Sequence, residues 1–462
     1  MFYELAGGKL LEINECVSRT VLDNSKMYIT RISNGDIVII NTFNNRCFVV
    51  PNESFFLEGV GEESDYFNTE LPQEYVPIIN ESDKVITFIL AITYTCNYQC
   101  TYCYQQHDKN LNKKLISEDD LSYVFKVIKK YKEEHPEYIV QLGLFGGEPL
   151  LPANETIIDK VFDFCKNNFI PVNIVTNGSY LEYYIKKIVI NRAIIGTICP
   201  TIDSTSLNYV TRRTISEESN RSNTEKLIKC IKTLLYYGIK VNVATNIDRH
   251  NVDQLERIKD DFEKLGLLQN RECFEWSIGR VDDRLCETGY KDIITEGEII
   301  EKLLEIKRPI NMHAAFIKTA YNLLDKIGVD IRQSERRGVH NYCWNSSPQD
   351  TVFYIDAQLK TYRCTYTVGR TDHSIMNFTL ENIENYFPVN RTALDYDRCK
   401  KCNIGGYCGG GCQLTYQINP SIVCKTEKES FDYFVEHVLT KYIVELRSNH
   451  ETNMEIRSSR TA

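Results

Sequence analysis

Short apolar runs alternate with amphipathic stretches through residues 87–310 of the chain. At the start of this region, the run KVITFILAIT from Lys84 to Thr93 is rich in β-branched residues and has the length of a buried strand. Apolar positions at helical spacing predict helices over residues 121–132, 225–237 and 252–265. Strands that alternate with helices build parallel sheets from βα units. We therefore expect an α/β fold in which these units form a partial barrel.

The N-terminal part, residues 1–86, has a different pattern. Two β-rich runs, at residues 26–32 and 36–42, are joined through Ser33-Asn34-Gly35, which is a hairpin signal. We expect a small β-rich domain here. Two roles stay open for it: a pair of strands that only covers the barrel, or a module that binds a partner.

The C-terminal part begins near residue 311 and is rich in cysteine. Helices are predicted over residues 298–306 and 315–327, and they lead into the cysteine-rich segment. We assign residues 311–440 to this domain. The polar tail that follows, residues 441–462, is expected to fray.

Composition and charge narrow the class of protein. A chain of 462 residues with 42% hydrophobic residues is long enough for two or three domains. The formal net charge of -9 and the lack of a basic stripe argue against nucleic acid or an anionic membrane surface as a partner. No apolar run approaches the length of a membrane span, so we expect a cytoplasmic protein.

Three cysteines share one short segment, CNYQCTYC, from Cys96 through Cys100 to Cys103. Thiolates are soft ligands that favour iron-sulfur clusters or zinc over hard cations. A closed zinc site needs a fourth ligand, whereas three thiolates can hold three irons of a cubane and leave one iron open. The segment follows the predicted strand, at the end where α/β barrels place their chemistry.

This segment and three further stretches resemble the radical S-adenosylmethionine superfamily. The further stretches are VQLGLFGGEP at residues 140–149, PVNIVTNG at residues 171–178 and TIDS at residues 201–204. The resemblance implies a partial (β/α)6 barrel, a four-iron cluster on the three cysteines, and S-adenosylmethionine bound at the open iron. The family usually has serine and glycine where this chain has Thr201 and Ser204.

The same resemblance implies a set of cofactor contacts: Tyr102, Gly146, Gly147, Glu148, Asn177 and Thr201. The residue types suit that role. Two glycines let the backbone approach a ligand closely, and a carboxylate pairs with the methionine ammonium group.

Seven cysteines of the C-terminal part resemble the SPASM domain in their order and spacing. The resemblance implies one auxiliary four-iron cluster held by Cys399, Cys402, Cys408 and Cys424. It implies a second one held by Cys343, Cys364 and Cys412. The family has glycine where this chain has Leu359, which affects a turn and no ligand. Seven thiols cannot fully ligate two such clusters, so we expect one open auxiliary iron unless Cys286 or His340 supplies a fourth ligand.

Other roles for these thiols remain open. A pair of zinc knuckles fits the last five spacings, but it does not account for the upstream cluster motif. A disulfide framework fits poorly, because the N-terminal segment lacks the basic start and apolar core of a signal peptide and a reducing interior suits thiolates. The remaining cysteines are predicted to be small buried hydrophobic residues: Cys16, Cys47, Cys165, Cys199, Cys230, Cys273 and Cys286.

The SPASM resemblance implies an enzyme that modifies a peptide or protein. We expect a maturase of a ribosomally made precursor peptide, in which a 5′-deoxyadenosyl radical takes a hydrogen atom from a substrate residue. An open auxiliary iron could bind a substrate cysteine, so a cysteine thioether is the leading hypothesis for the product. A flavodoxin-like or ferredoxin-like protein is the expected electron donor. Peptide maturases often carry a small module that binds the leader segment of the precursor, and the resemblance implies this role as an alternative for residues 1–86.

Three alternatives accompany that hypothesis. A maturase could join carbon to carbon. A sulfatase-maturating enzyme, which makes formylglycine, would resemble this chain in its thiols, but such enzymes carry an aspartate after the second SPASM cysteine and Thr365 follows Cys364 here. A non-enzymatic electron carrier or zinc-binding scaffold would leave the GGEP stretch without a role.

Overall fold

The computed structural model describes residues 3–5, 8–10, 28–31, 35, 37–42, 46–50, 84–107, 111, 113–205, 217–283, 289–306, 312–314, 350–386 and 393–441. Its strands are β1 Tyr3–Leu5, β2 Gly8–Leu10, β3 Tyr28–Arg31, β4 Ile37–Asn41, β5 Arg46–Val50, β6 Lys84–Thr93, β7 Tyr138–Gly146, β8 Val172–Thr176, β9 Ile195–Pro200, β10 Lys240–Ile247, β11 Phe274–Arg280, β12 Met312–Ala314, β13 Asp350–Asp356, β14 Lys360–Tyr362 and β15 Met376–Asn377.

The α-helices of the described residues are α1 Tyr104–His107, α2 Glu118–Glu134, α3 Glu155–Asn168, α4 Leu181–Ile190, α5 Glu217–Tyr236, α6 Leu255–Lys264, α7 Glu296–Glu305, α8 Leu380–Glu384, α9 Asp397–Lys400, α10 Gly405–Cys408, α11 Gln413–Ile418 and α12 Pro420–Tyr433. A π-helical segment, Phe434–Leu439, continues α12. Across these ranges no helix is long and apolar enough to cross a membrane.

Six parallel strands form the centre of the molecule, and β6 to β11 lie side by side in chain order. The predicted buried strand is β6, and Phe88, Leu90 and Ile92 on it are fully or almost fully buried. The helices between the strands pack apolar residues on the sheet. This is the α/β arrangement of a partial (β/α)6 barrel, as the sequence predicts.

The predicted helices of this region are present with shifted ends. The helix predicted over 121–132 begins earlier, because Ser117 caps α2 by accepting a hydrogen bond from the backbone N–H of Asp120. The helix predicted over 252–265 starts as a 3-10 turn at Val252–Gln254 before α6. The helix predicted over 315–327 lies outside the described residues.

The barrel sheet continues beyond these six strands on both sides. On one side β12 pairs in parallel with β11, and on the other β13 pairs in parallel with β6. Antiparallel strands β14 and β15 complete a ten-stranded sheet. The boundary predicted at residue 310 therefore separates segments of the chain that share one sheet.

The N-terminal strands β3, β4 and β5 form an antiparallel sheet, and the predicted hairpin is the β3–β4 pair. This sheet packs against the C-terminal helices. The Tyr28 hydroxyl donates to Asp432 Oδ1 at 2.8 Å, and its ring meets Phe431 edge-on with centroids 4.8 Å apart. Val38 and Ile40 are fully buried.

Helix α7 joins the barrel to the C-terminal helices. It corresponds to the helix predicted over residues 298–306 and begins with a capping box between Thr295 and Glu298. Gly297 lies against α12, where a Cβ atom would come within 2.7 Å of the Ser430 carbonyl oxygen and 3.0 Å of the Phe434 nitrogen. The two helices therefore approach each other at backbone distance.

Candidate active site

The first cysteine segment leaves the C-terminal end of β6 and leads into α1. Cys96, Cys100 and Cys103 are each partly exposed. A tight turn is closed by the Cys103 backbone N–H, which donates to the Cys100 carbonyl at 3.0 Å. The three thiols thus lie on one short loop at the end of a barrel strand, as the sequence predicts.

Gly146 and Gly147 bring the end of β7 against this loop. Cβ atoms at these two positions would lie 2.2 Å from the Thr93 carbonyl oxygen and 2.3 Å from that of Thr95. Gly146 also has a φ of 127°, which favours glycine. The Gly147 N–H donates to Thr93 at 2.9 Å and the Glu148 N–H to Thr95 at 2.9 Å. The glycines are therefore needed for contact between the two backbones, in addition to any approach to a ligand.

Glu148 is fully buried, and its carboxylate joins β7 to β8. Oε1 accepts from the Leu150 backbone N–H at 2.9 Å and from the Thr176 hydroxyl at 2.6 Å. Oε2 accepts from the Asn177 backbone N–H at 2.6 Å. Donors of this kind stabilise a charged carboxylate in a buried place.

The Cys96 thiol lies beside Glu148 and Asn177. Sγ accepts from the Tyr98 backbone N–H at 3.4 Å and from Asn177 Nδ2 at 3.7 Å. Burial raises the pKa of this thiol, and the negative charge of Glu148 raises it further. Hydrogen bonds to the sulfur atom suit a thiolate that ligates iron, because they tune such a cluster. The structure therefore brings together Cys96, Glu148 and Asn177, which the sequence predicts from separate stretches.

Tyr102 is held by two residues that the sequence alone does not identify. Its hydroxyl donates to the carboxylate of Asp203, which is almost fully buried. Asp203 Oδ1 also accepts from the Asn246 backbone N–H at 2.9 Å. Thr201, the other predicted contact, follows β9, and its N–H donates to the Thr176 carbonyl at 3.1 Å. The only sequence signal for Asp203 is its position inside the TIDS stretch.

An aromatic contact joins the first cysteine segment to the C-terminal part. The rings of Tyr104 and Tyr366 have centroids 4.5 Å apart. Tyr104 follows Cys103 directly, and Tyr366 lies two residues after Cys364. Burial raises the pKa of Tyr104, with contributions from both neighbouring thiols. The loop of Cys103 and the loop of Cys364 therefore face each other across this ring pair.

A second group of thiols lies among the C-terminal helices. Burial raises the pKa of Cys399 to about 11, and the thiols of Cys402 and Cys424 are close enough to add to that rise. A Cβ atom on Gly411 would lie 3.6 Å from Cys408 Sγ and 2.3 Å from Val423 Cγ1. Because Val423 precedes Cys424, all four predicted ligands of one auxiliary cluster are placed in one region.

The ligands predicted for the other auxiliary cluster are only partly described. Cys364 precedes a 3-10 turn and Cys412 precedes α11. Cys343, Cys286 and His340 lie outside the described residues. Among the described residues, no three thiol, imidazole or carboxylate groups converge on the position of a single metal ion. A four-iron cluster does not require such convergence, because each thiolate binds its own iron.

Comparison with known proteins identifies the barrel. Residues 90–263 match the family model described as "Radical SAM superfamily". TigE of Paramaledivibacter caminithermalis, a radical SAM cyclopropyl synthase, is 25% identical over 483 residues, which span 97% of this chain and 93% of that protein.

Two solved structures share the fold. One is anSMEcpe with bound AdoMet and the Cp18Cys peptide, with a TM-score of 0.54 and 15% identity over 79% of this chain and 99% of that one. The other is SuiB of Streptococcus suis bound to S-adenosylmethionine, with a TM-score of 0.51 and 14% identity over 85% and 96%. Radical SAM proteins use a four-iron cluster with S-adenosylmethionine, and Cys96, Cys100 and Cys103 lie inside the matched range. Residues 90–263 of this chain therefore match a radical SAM domain.

Proposed function

We propose that the enzyme takes a hydrogen atom from a residue of a ribosomally made peptide and forms a new bond at that carbon. The observation that carries the proposal is the placement of two cysteine-bearing loops on either side of the Tyr104–Tyr366 contact. One loop ends the first barrel strand and the other bears Cys364. Similarity along nearly the whole chain to TigE, a radical SAM cyclopropyl synthase, supports an enzyme in which the parts outside the barrel belong to the same functional unit.

The residues on and around the first cysteine loop have separate tasks in this proposal. When bound, the cluster and S-adenosylmethionine supply the radical that takes the hydrogen atom. Cys96, Cys100 and Cys103 would hold three irons, and the N–H groups that reach Cys96 Sγ would stabilise its thiolate. Glu148 would pair with the methionine ammonium group. Orientation of the reacting groups by such contacts is worth about 7 to 11 kcal/mol of barrier in favourable cases.

The C-terminal thiols would hold the two auxiliary clusters with the ligand sets given by the SPASM resemblance. The closeness of Cys399, Cys402 and Cys424 supports the first set. The second set is supported by the position of Cys364, whose loop faces the loop of Cys103 across the Tyr104–Tyr366 ring pair. Two auxiliary clusters and the first one make three in the proposed enzyme.

The bond formed distinguishes the candidate products. The name of TigE, a cyclopropyl synthase, favours a carbon–carbon bond. A thioether stays the prediction that depends on an open iron beside Cys364 and Cys412. Formylglycine formation is disfavoured because Thr365, which begins the 3-10 turn after Cys364, has no carboxylate to act as a base.

The partners follow from the same proposal. We propose a precursor peptide with a leader as substrate, and a flavodoxin-like or ferredoxin-like protein as electron donor. Binding of the Cp18Cys peptide by anSMEcpe, a protein of the same fold, supports a peptide substrate. A reducing cytoplasm, where thiolate ligands persist, remains the predicted location.

The proposed radical chemistry is tested by removing the first set of ligands. Protein with Cys96→Ala, Cys100→Ala and Cys103→Ala should lose about four irons, the content of one cluster, and all S-adenosylmethionine cleavage. Cys273→Ala is the control, because Cys273 is partly exposed and belongs to no proposed ligand set. Iron and sulfide analysis and a cleavage assay measure both effects. Cleavage that persists in the triple variant would contradict the proposed function.

The type of bond is tested with candidate precursor peptides encoded beside the gene. Each bond formed between two hydrogen-bearing atoms removes two hydrogen atoms, which mass spectrometry detects. A thioether consumes a cysteine thiol, so the product would resist alkylation and a peptide with serine in place of cysteine would stay unmodified. A carbon–carbon bond leaves every cysteine free to react.

A further inference from the structure

Thr42 is a buried N-terminal residue that contacts the loop between two cysteines of the C-terminal part. It directly follows β4 and is 1% exposed. Its hydroxyl donates to the Asn403 carbonyl at 3.1 Å and accepts from the Gly406 backbone N–H at 3.2 Å. Asn403 and Gly406 lie between Cys402 and Cys408, so one hydroxyl bridges both sides of that loop.

The position of Thr42 is fixed by the packing of its sheet. Tyr28 on β3 is bonded to Asp432 at 2.8 Å and packs on Phe431. Thr42 itself lies two residues after Ile40, which is fully buried in the core. The hydroxyl is therefore held in place by the packing of the sheet.

The bridged loop is connected to three of the proposed ligands. The Ile404 backbone N–H is hydrogen-bonded to the Cys402 thiol. The Cys402 N–H donates to the Cys399 carbonyl at 3.0 Å, and the Cys408 N–H donates to the Ile404 carbonyl at 2.8 Å. A shift of Ile404 would therefore move the N–H group that donates to the Cys402 sulfur. It would also move the backbone of Cys408, which is hydrogen-bonded to the Ile404 carbonyl.

We infer that Thr42 is a positioning residue of the auxiliary iron-sulfur centre, and that the N-terminal sheet is a structural part of that centre. The inference rests on the proposed assignment of Cys399, Cys402, Cys408 and Cys424 to one cluster. Neither hydrogen bond of the Thr42 hydroxyl goes to a proposed ligand. It acts through the backbone of the loop, whose N–H reaches the Cys402 sulfur.

The expected consequences follow from known effects of the groups around metal ligands. Loss of a hydrogen bond made directly to a metal ligand typically costs about 10-fold to 100-fold in metal affinity, and we expect the lower end of that range for Thr42, which acts through the loop backbone. Hydrogen bonds to sulfur also set the reduction potential of a cluster, and fewer of them make it more negative. Removing the Thr42 hydroxyl should therefore speed the release of auxiliary iron and lower the potential of that cluster.

The test compares Thr42→Val with Thr42→Ser in the full chain with its clusters. Valine keeps the shape of threonine and lacks the hydroxyl, whereas serine keeps the hydroxyl. We expect Thr42→Val to release auxiliary iron to a chelator about tenfold faster than the wild type, and Thr42→Ser to release it at nearly the wild-type rate. The reduction potential of the auxiliary cluster should become more negative in Thr42→Val alone. S-adenosylmethionine cleavage at the first cluster should be unchanged in both variants. Repeating the iron-release and potential measurements in protein that also has Cys96, Cys100 and Cys103 replaced by alanine removes the signal of the first cluster.

Each outcome distinguishes this inference from the proposed function. Wild-type release and potential in Thr42→Val would overturn it, as would equal changes in Thr42→Ser. Wild-type protein without auxiliary iron would instead overturn the cluster assignment. If Thr42→Val does not fold, Tyr28→Phe removes the bond to Asp432 that anchors the sheet. It should change iron release in the same direction by a smaller factor, and an unchanged rate would contradict the inference.

Discussion

At the scale of single residues, the carboxylate of Glu148 has two tasks that substitutions can separate. It joins the ends of β7 and β8 through the Thr176 hydroxyl and the Asn177 N–H. Its charge is also expected to pair with the ammonium group of S-adenosylmethionine. A variant that removes the Thr176 hydroxyl tests the link between the two strands. A variant that removes the negative charge of Glu148 tests that link and the pairing with the ammonium group together.

We expect Glu148→Gln to weaken S-adenosylmethionine binding by about tenfold or more, since hydrogen bonds to charged groups contribute about 1.5 to 3 kcal/mol. Thr176→Val is the matched control, because it deletes one donor to the same carboxylate and keeps the negative charge. Its binding should stay much closer to wild type. Equilibrium binding under anaerobic conditions measures both. Equal affinity in Glu148→Gln and the wild type would place this carboxylate outside the cofactor site.

The sequence predicts the residues of this site better than their partners. The thiols, Glu148 and Asn177 belong to recognisable stretches, and the structure brings Cys96, Glu148 and Asn177 together. Asp203, just after β9, and Asn246, on β10, both contact Tyr102. Those contacts depend on how β9 and β10 align, and the pattern of either strand alone does not determine that alignment.

At the scale of elements, two chain turns use residues in an unfavourable backbone conformation. Phe169 ends α3 with a φ of 52°, and Leu359 lies between β13 and β14 with a φ of 60°. Leu359 is the position where the SPASM pattern has glycine, so the departure noted in the sequence corresponds to a left-handed residue. Its side chain packs against the core, whereas that of Phe169 is 86% exposed.

We expect Phe169→Gly to raise the free energy of unfolding by about 1 kcal/mol, because glycine adopts the left-handed conformation without a steric penalty. Leu359→Gly should gain less, since it also loses apolar contacts with the core. Denaturant unfolding of the two variants and the wild type measures the difference. A larger gain for Leu359→Gly would show that packing at this turn contributes little.

At the scale of the whole molecule, the barrel and the C-terminal helices are connected where α7 meets α12. We expect Gly297→Ala to lower the free energy of unfolding by up to about 2 kcal/mol. Its Cβ would meet backbone atoms of Ser430 and Phe434 that cannot easily move, which costs about 1 to 3 kcal/mol. The helix propensity of alanine offsets about 1 kcal/mol of that cost.

Gly279→Ala is the control for that prediction, since the nearest atom to its added Cβ is a side-chain oxygen at 3.7 Å. It should unfold at nearly the wild-type denaturant concentration. If Gly297→Ala did so too, the contact of the two helices would not hold the parts of the molecule together.

The sequence predicts the barrel strands but not the extent of the sheet. Alternation of strands and helices is a local signal, so β6 to β11 could be predicted from it. The pairing of β13 with β6 joins segments far apart in the chain, and no local pattern announces it. For the same reason the predicted boundary at residue 310 follows composition and not sheet pairing.

That pairing has a consequence for synthesis on the ribosome. In the described residues β6 pairs only with β7 and β13, so until Asp350 has been translated the strand that leads into the first cysteine loop has one open edge. Open edges of apolar strands invite aggregation. A fragment that stops before Asp350 would keep every barrel helix and still expose Phe88 and its neighbours, so we expect nascent or truncated chains to need chaperones that the complete chain can do without.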